Sequence, residues 1–182
     1  EVERLYRDLL IGVTGFFRDR EFFDRLETEV IPELMGRLKA EEELRVWCVA
    51  TATGEEAYSL AILISEFMKR ENVQRPVRIF ASDIHRESLA TAGRGMYPAE
   101  ALEGISPERI QEFFQYRSDG YYVSPELRKM VVFVPHNVIK DAPFTRIDLV
   151  TCRNMLIYFT NSTQKSVLSG FPRPAYFSAT LP

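Results

Sequence analysis

Polar side chains cluster at four points, each directly after an apolar run of strand length: Thr51-Ala52-Thr53-Gly54-Glu55-Glu56, Ser82-Asp83, His136-Asn137-Val138 and Cys152-Arg153-Asn154. The first cluster turns a strand into a helix through Gly54 and sets Glu55 and Glu56 at the helix start. Bare N–H groups at such a start favour an anion, but here carboxylates occupy the place a phosphate would take. The G-x-G-x-x-G spacing of a dinucleotide loop is also missing, which argues against a nicotinamide-dependent dehydrogenase. A cationic or zwitterionic ligand fits better, and S-adenosylmethionine carries a sulfonium, an ammonium and no phosphate. The two acids would equally stabilise the helix through its dipole with no ligand at all. Asp83 is suited to accept hydrogen bonds from ribose hydroxyls or to cap the next helix. Asn137 offers an amide to an adenine edge or closes a turn. Together these two favour a nucleoside pocket.

These clusters need a scaffold that brings strand ends together. Residues Leu5 to Leu10 read as a short helix, followed by a turn with Gly12, Thr14 and Gly15 and then Phe16-Phe17-Arg18. A longer helix is expected from Asp19 to Lys39, with Phe22, Phe23, Leu26, Val30, Leu34 and Leu38 at helical spacing and Pro32 as a kink. Arg45 to Ala50 reads as a strand, and Ala57, Leu60, Ala61, Ile64, Phe67 and Met68 mark the helix after Gly54. A second strand at Val77 to Ala81 and a short helix around Ser88 to Ala90 complete a βαβ unit, which implies parallel strands. The stretch from Tyr97 to Met130 is irregular and reads as an inserted subdomain, with helices at Pro107 to Phe114 and Pro125 to Lys129 around Tyr121-Tyr122-Val123. Strands resume at Val131 to Val134 and Ile147 to Thr151, and Ser162 to Leu168 forms another helix. The expected fold is α/β, a doubly wound Rossmann-like sheet with a helical N-terminal element at 1–40, an α/β domain at 41–182 and an insertion at about 97–130. Such sheets bind ligands at the carboxyl ends of their strands, where the four clusters fall.

The 182 residues fit one domain, and 46% hydrophobic with 27% charged residues is the balance of a globular protein. A net charge of -3 gives no bulk attraction to nucleic acid. Cys48 and Cys152 sit in apolar runs without a second ligand at metal spacing, so they read as buried free thiols and no metal is expected. His85 and His136 lack partners at metal or triad spacing and read as turn or surface residues. No apolar stretch approaches the ~20 residues of a membrane span, which points to a cytoplasmic protein without membrane insertion. The start at Glu1 within a helical pattern reads as a segment of a longer polypeptide.

The blocks Val13-Thr14-Gly15-Phe16-Phe17-Arg18, Thr53-Gly54-Glu55-Glu56-Ala57-Tyr58-Ser59, Ala81-Ser82-Asp83-Ile84, His136-Asn137-Val138 and Cys152-Arg153-Asn154-Met155-Leu156-Ile157-Tyr158-Phe159 resemble, in order, the chemotaxis receptor methyltransferase (CheR) family. The resemblance implies transfer of a methyl group from S-adenosylmethionine to glutamate carboxylates of chemoreceptor-type proteins, leaving S-adenosylhomocysteine. It implies that Thr14 and Arg18 touch the cofactor, that Glu55 with Glu56 takes its amino-acid portion, Asp83 its ribose, and Asn137 with Val138 its adenine. Arg153, Asn154 and Tyr158 would border the transferring methyl, with Arg153 and Tyr158 as the catalytic pair. Arg153 would hold the incoming glutamate or shape its site, and the Tyr158 hydroxyl would orient the carboxylate. The structural alternatives are a buried pair between Arg153 and an acid such as Asp148, and core packing for Tyr158.

The stretches Asp8-Leu9-Leu10-Ile11-Gly12-Val13-Thr14 and Asp141-Ala142-Pro143-Phe144-Thr145-Arg146 most resemble the versions embedded in hybrid methylesterase, methyltransferase and sensor proteins, and the unusual end after Phe171 makes a catalytically idle cofactor-binding sensor module of such a hybrid the alternative function. Thr51-Ala52 and Ala57 are small departures from the family pattern. The stretch Arg117 to Tyr122 lacks the Gly-rich insertion of members that clamp a receptor's C-terminal pentapeptide, which argues against tethering by that route. After Phe171 the sequence leaves the family pattern, so the last strands of the sheet are expected to be truncated or replaced.

Overall fold

The computed structural model describes residues 14–171 and 176–179. The helix expected at Leu5 to Leu10, with Gly12 and Val13, lies outside the described residues. The first helical stretch comprises α1 (Arg20–Arg25), a π-helical turn (Leu26–Val30) and α2 (Ile31–Arg37). Sequence periodicity anticipates this helix and a disturbance at Pro32. The disturbance takes the form of a widened turn, in which the Ile31 N–H donates to the Leu26 carbonyl five residues back. Pro32 lacks an N–H and its ring would press on the carbonyl of Thr28; the wider turn relieves both problems without a sharp break.

The chain then enters β1 (Leu44–Val49), α3 (Glu55–Arg70), β2 (Val77–Asp83) and α4 (Arg86–Arg94). Next come β3 (Met96–Tyr97), α5 (Pro107–Phe113), β4 (Phe114–Arg117), β5 (Gly120–Val123) and α6 (Pro125–Met130). The chain finishes with β6 (Val131–Pro135), β7 (Leu149–Cys152), α7 (Asn161–Gly170) and β8 (Tyr176–Ala179). The main sheet runs β6-β2-β1-β7-β8 and every pairing in it is parallel. Strands β2 and β6 build outward on one side of β1, whereas β7 and β8 build outward on the other. The carboxyl ends of β1 and β7 therefore flank the point where the winding reverses, which opens a crevice there.

Both faces of the sheet are covered, as the continuous apolar character of its strands requires. Leu44, Val46 and Cys48 of β1 face a cluster with Leu60, Ala61 and Ile64 of α3 and Ile31 and Leu34 of α2. Trp47 and Val49 face the opposite cluster with Val150, Cys152, Val167 and Phe171. Trp47 is almost fully enclosed, and its Nε1–H donates to Ser82 Oγ at 2.9 Å.

The second, antiparallel sheet has the order β3-β5-β4. Its short strands β3 and β4 escape sequence reading, because Gln115, Tyr116 and Arg117 are exposed and give no apolar alternation. Helices α5 and α6 begin with serine caps followed by proline: Ser106 accepts from the Arg109 N–H, and Ser124 from the Leu127 N–H. Beyond Phe171 the sequence departs from the expected pattern, yet Tyr176–Ala179 pairs in parallel with β7. The Tyr176 N–H donates to the Asp148 carbonyl at 3.0 Å.

Candidate functional site

The turn after β1 is held in an unusual backbone path. Ala50 (φ 55°), Ala52 (φ 48°) and Gly54 (φ 96°) all lie in the left-handed region. Two of the three carry a Cβ, a conformation that costs of order 1 kcal/mol each and concentrates at functional sites. At Gly54 a side chain has no room: a Cβ would come within 2.8 Å of Ala92 Cβ and 3.1 Å of the Phe133 ring. The turn is tied down by the Thr51 N–H to the Ser82 carbonyl (3.0 Å) and by the Tyr97 hydroxyl donating to the Thr53 carbonyl (2.7 Å).

Glu55 is buried, and both its carboxylate oxygens accept from the Thr53 hydroxyl, at 2.9 and 2.8 Å. Among the described residues no cation pairs with it, and burial raises its pKa. Glu56, one residue on, does have a cation: Arg153 Nη1 lies 3.4 Å from its Oε2. Burial raises the Glu56 pKa, with Arg153 partly opposing the shift.

Asp83, at the end of β2, is fixed by two backbone donors. The Ala52 N–H gives 2.8 Å to Oδ2, and the His85 N–H gives 2.9 Å to Oδ1. The carboxylate thus braces the β1 turn, and its remaining lone pairs are available to a ligand. No side chain caps α4. Asn137 takes the turn-closing role: its Oδ1 accepts from the Ile139 N–H at 3.0 Å, and its own N–H donates to Asp141 at 2.7 Å. Val138 packs against the Trp47 cluster, beside a cavity of about 180 Å³ lined by Trp47, Val138, Ile139, Val167 and Phe171.

Arg153 is nearly enclosed, with 3% of its side chain exposed. Its acids are Glu56 and Asp19, not Asp148, whose carboxylate instead accepts from the Arg45 N–H at 2.9 Å. Nη2 also donates to the Arg18 carbonyl at 3.0 Å, and the guanidinium lies 4.2 Å from the Phe22 ring centre. Tyr158 is no core residue: it is 66% exposed on the short 3-10 turn Leu156–Tyr158. Asn154 adopts a positive φ of 55° and is half-buried. Thr14 is half-buried and Arg18 exposed.

The fold therefore joins Glu56, Arg153 and the Arg18 backbone in one contact network, sets Glu55 beside it on Thr53, and ties Asp83 to the same turn through Ala52. The segment of Asn137 and Val138 reaches Asp83 through the His136 N–H, which donates to the Asp83 carbonyl at 3.0 Å. Tyr158 stands apart, its hydroxyl without a hydrogen-bond partner among the described residues. Sequence reading missed Asp19, 134 residues from its partner. It also missed Ile84 and Ile139, which are 59% and 53% exposed just past the ends of β2 and β6. Exposed isoleucines beside an expected nucleoside pocket are a signal that could have found them. His136 lies half-buried in the connection after β6, with its ring edge-on to Trp47 at 5.3 Å.

Both cysteines are buried and free, and no group of three or more His, Cys, Asp or Glu among the described residues is arranged to hold a metal. No described helix is long and apolar enough to cross a membrane.

Residues 12–180 match the family description "CheR methyltransferase, SAM binding domain". A 104.1 kDa protein of Rhodobacter capsulatus is 40% identical over 168 residues, which cover 92% of this chain and 18% of that protein. A "Chemotaxis protein methyltransferase" of Listeria innocua is 38% identical over 152 residues, covering 84% of this chain and 56% of the relative. The chain thus spans about half the length of that relative, and far less of the first. Among solved structures, the CMeT domain of the citrinin polyketide synthase aligns with a TM-score of 0.47 at 16% identity, covering 82% of this chain and 31% of that one. The match over 12–180, which reaches into the stretch beyond Phe171 that the sequence pattern alone sets aside, shows that the chain belongs to the CheR methyltransferase family.

Proposed function

We propose that the chain binds S-adenosylmethionine across the ends of β1, β2 and β6 and methylates glutamate carboxylates of chemoreceptor-type signalling proteins in the cytoplasm. One observation carries the cofactor reading: Glu55 is a buried carboxylate with no cationic partner among the described residues, set where the sheet winding reverses. An ammonium group would supply the missing charge. The left-handed backbone at Ala50, Ala52 and Gly54 supports the same reading, since such strained turns concentrate at functional sites. Glu55 would hold the cofactor's amino group, Asp83 the ribose hydroxyls, and the Asn137-Val138 segment with Ile84 the adenine. Thr14 and Arg18 would close over it from the N-terminal segment, and Glu56 and Asn154 would complete the wall near the methyl.

When bound, S-adenosylmethionine supplies a methyl group on a sulfonium, open to in-line attack by an ionised carboxylate. A glutamate is already ionised at neutral pH, so the chain needs no strong base and has only to position and desolvate the nucleophile. Tyr158, exposed and with no partner for its hydroxyl among the described residues, is suited to orient the incoming carboxylate. Arg153 is enclosed, which favours a part in shaping the site over direct contact with the substrate. The β4–β5 turn consists of Ser118 and Asp119 alone, which supports the absence of a pentapeptide tether.

Calorimetry with S-adenosylmethionine, S-adenosylhomocysteine and NAD, paired with methyl transfer to receptor fragments, tests this reading. Binding of the first two together with base-labile methyl incorporation is expected. Binding without transfer would leave a sensor module, and selective binding of NAD would sink the cofactor assignment.

A further inference from the structure

Both acids of the cofactor turn are wired to the same N-terminal segment. Ser59 Oγ donates to the Glu55 carbonyl at 2.7 Å and accepts from the Phe17 N–H at 3.0 Å. On the other side, Arg153 joins Glu56 to the Arg18 carbonyl and the Asp19 carboxylate, with Phe22 laid over the guanidinium and Phe23 at 5.5 Å. Phe17 and Asp19 both take positive φ, 51° and 63°, which L residues adopt uncommonly. Two such residues within three positions mark a path imposed by these contacts rather than by local preference.

We propose that Asp19 is a positioning residue: through Arg153 it fastens the segment 14–19 against Glu56, and so sets the affinity of the cofactor site without touching the reacting atoms. The proposal rests on the S-adenosylmethionine reading given above. Asp19 is the partner suited to this role. Its side chain is 56% exposed while that of Arg153 is 3% exposed, so Asp19 supplies the solvent-side lock on an otherwise internal cation. Without it, Arg153 keeps Glu56 at 3.4 Å and the Phe22 stack, and the segment keeps Phe17 on Ser59. The fold therefore survives the loss, while the placement of Thr14 and Arg18 loosens.

The test is calorimetric titration of the whole chain with S-adenosylmethionine, in wild type, Asp19→Asn and Asp19→Glu, beside methyl transfer and thermal melting. Loss of a charge-assisted hydrogen bond to an enclosed arginine should raise Kd about tenfold in Asp19→Asn. Asp19→Glu should recover to within about threefold, and kcat at saturating cofactor should change less than about threefold, so the defect appears in KM. A purely structural ion pair would lower the melting temperature and leave Kd alone, which would overturn the proposal. So would tighter binding of the protein substrate in Asp19→Asn, which would make Asp19 a competitor for Arg153 instead. If Asp19→Asn melts too early to titrate, Arg153→Lys keeps the charge and loses the fork; wild-type affinity in that variant likewise overturns the proposal. Wild type that fails to bind S-adenosylmethionine defeats the cofactor reading as well, whereas equal binding by wild type and Asp19→Asn defeats only this inference.

Discussion

Replacing Gly54 with Ala should destabilise the chain by about 3 kcal/mol, from two separable sources. The first is conformational. At φ 96° an L side chain is strained, which costs roughly 1–2 kcal/mol. The second is steric. The new methyl would stand 2.8 Å from Ala92 Cβ and 3.1 Å from two carbons of the Phe133 ring. Neither neighbour is the free end of a flexible chain: Ala92 is buried in α4, and Phe133 packs on Tyr58 at 5.6 Å. Forcing them apart adds roughly 1–3 kcal/mol of overpacking. For a chain of this size each kcal/mol moves Tm by about 2–4 °C, so a fall of about 6–12 °C is expected. Urea denaturation of wild type and Gly54→Ala, with equal slopes required, measures the difference. Gly36→Ala is the control: it lies in α2, has no positive φ, and its added methyl meets nothing within 4 Å. It should gain about 0.5–1 kcal/mol through reduced backbone freedom in the helix. A Gly54→Ala midpoint within experimental error of wild type would refute the reasoning about both strain and space.

Glu55→Gln should weaken S-adenosylmethionine binding by about tenfold or more, through loss of the charge that would face the ammonium. The same change should stabilise the unliganded fold near neutral pH. Burial raises the folded pKa of Glu55 above its ordinary 4.5, so the native state favours the proton, and the carboxylate's contribution declines as pH rises through the folded pKa. The stability advantage of Gln should therefore vanish below pH 4.5, and melting curves across pH that stay parallel would contradict it. Tyr158→Phe should lower kcat by at least about tenfold while cofactor affinity, read by calorimetry, stays within about twofold. A large loss of cofactor binding would remove the hydroxyl from its proposed place beside the carboxylate.

The buried elements were legible in the sequence because parallel strands covered on both faces leave unbroken apolar runs, as at Arg45 to Ala50 and Val77 to Ala81. Helix α3 was legible from the spacing of Ala57, Leu60, Ala61, Ile64, Phe67 and Met68. The exposed strand β4 was hidden, since Gln115, Tyr116 and Arg117 point to no core that would impose alternation. The polar clusters identified the crevice, yet their partners did not follow from them. Arg153 called for an acid, and Asp148 was near in sequence, but the fold delivers Asp19 and Glu56 from distances of 134 and 97 residues. Asn137 shows the opposite limit: its type suits either a turn or a ligand, and only the hydrogen bond to Ile139 reveals what its side chain does in the free chain.

The seclusion of Cys48 bears on chemical self-restraint. Sulfur anions attack a sulfonium methyl far more readily than carboxylates do, so a thiolate beside the proposed cofactor site would be a rival to any oxygen nucleophile. The Cys48 sulfur lies 3.6 Å from Glu56 Oε1. Burial, reinforced by the Glu56 charge, pushes its pKa well above the usual thiol range, and Cys152 is pushed up to about 12 by the same causes. Both remain inert thiols at neutral pH. The glutamate that helps frame the crevice thereby also helps keep both buried thiols protonated, so that neither would compete with an oxygen nucleophile for a sulfonium methyl bound there.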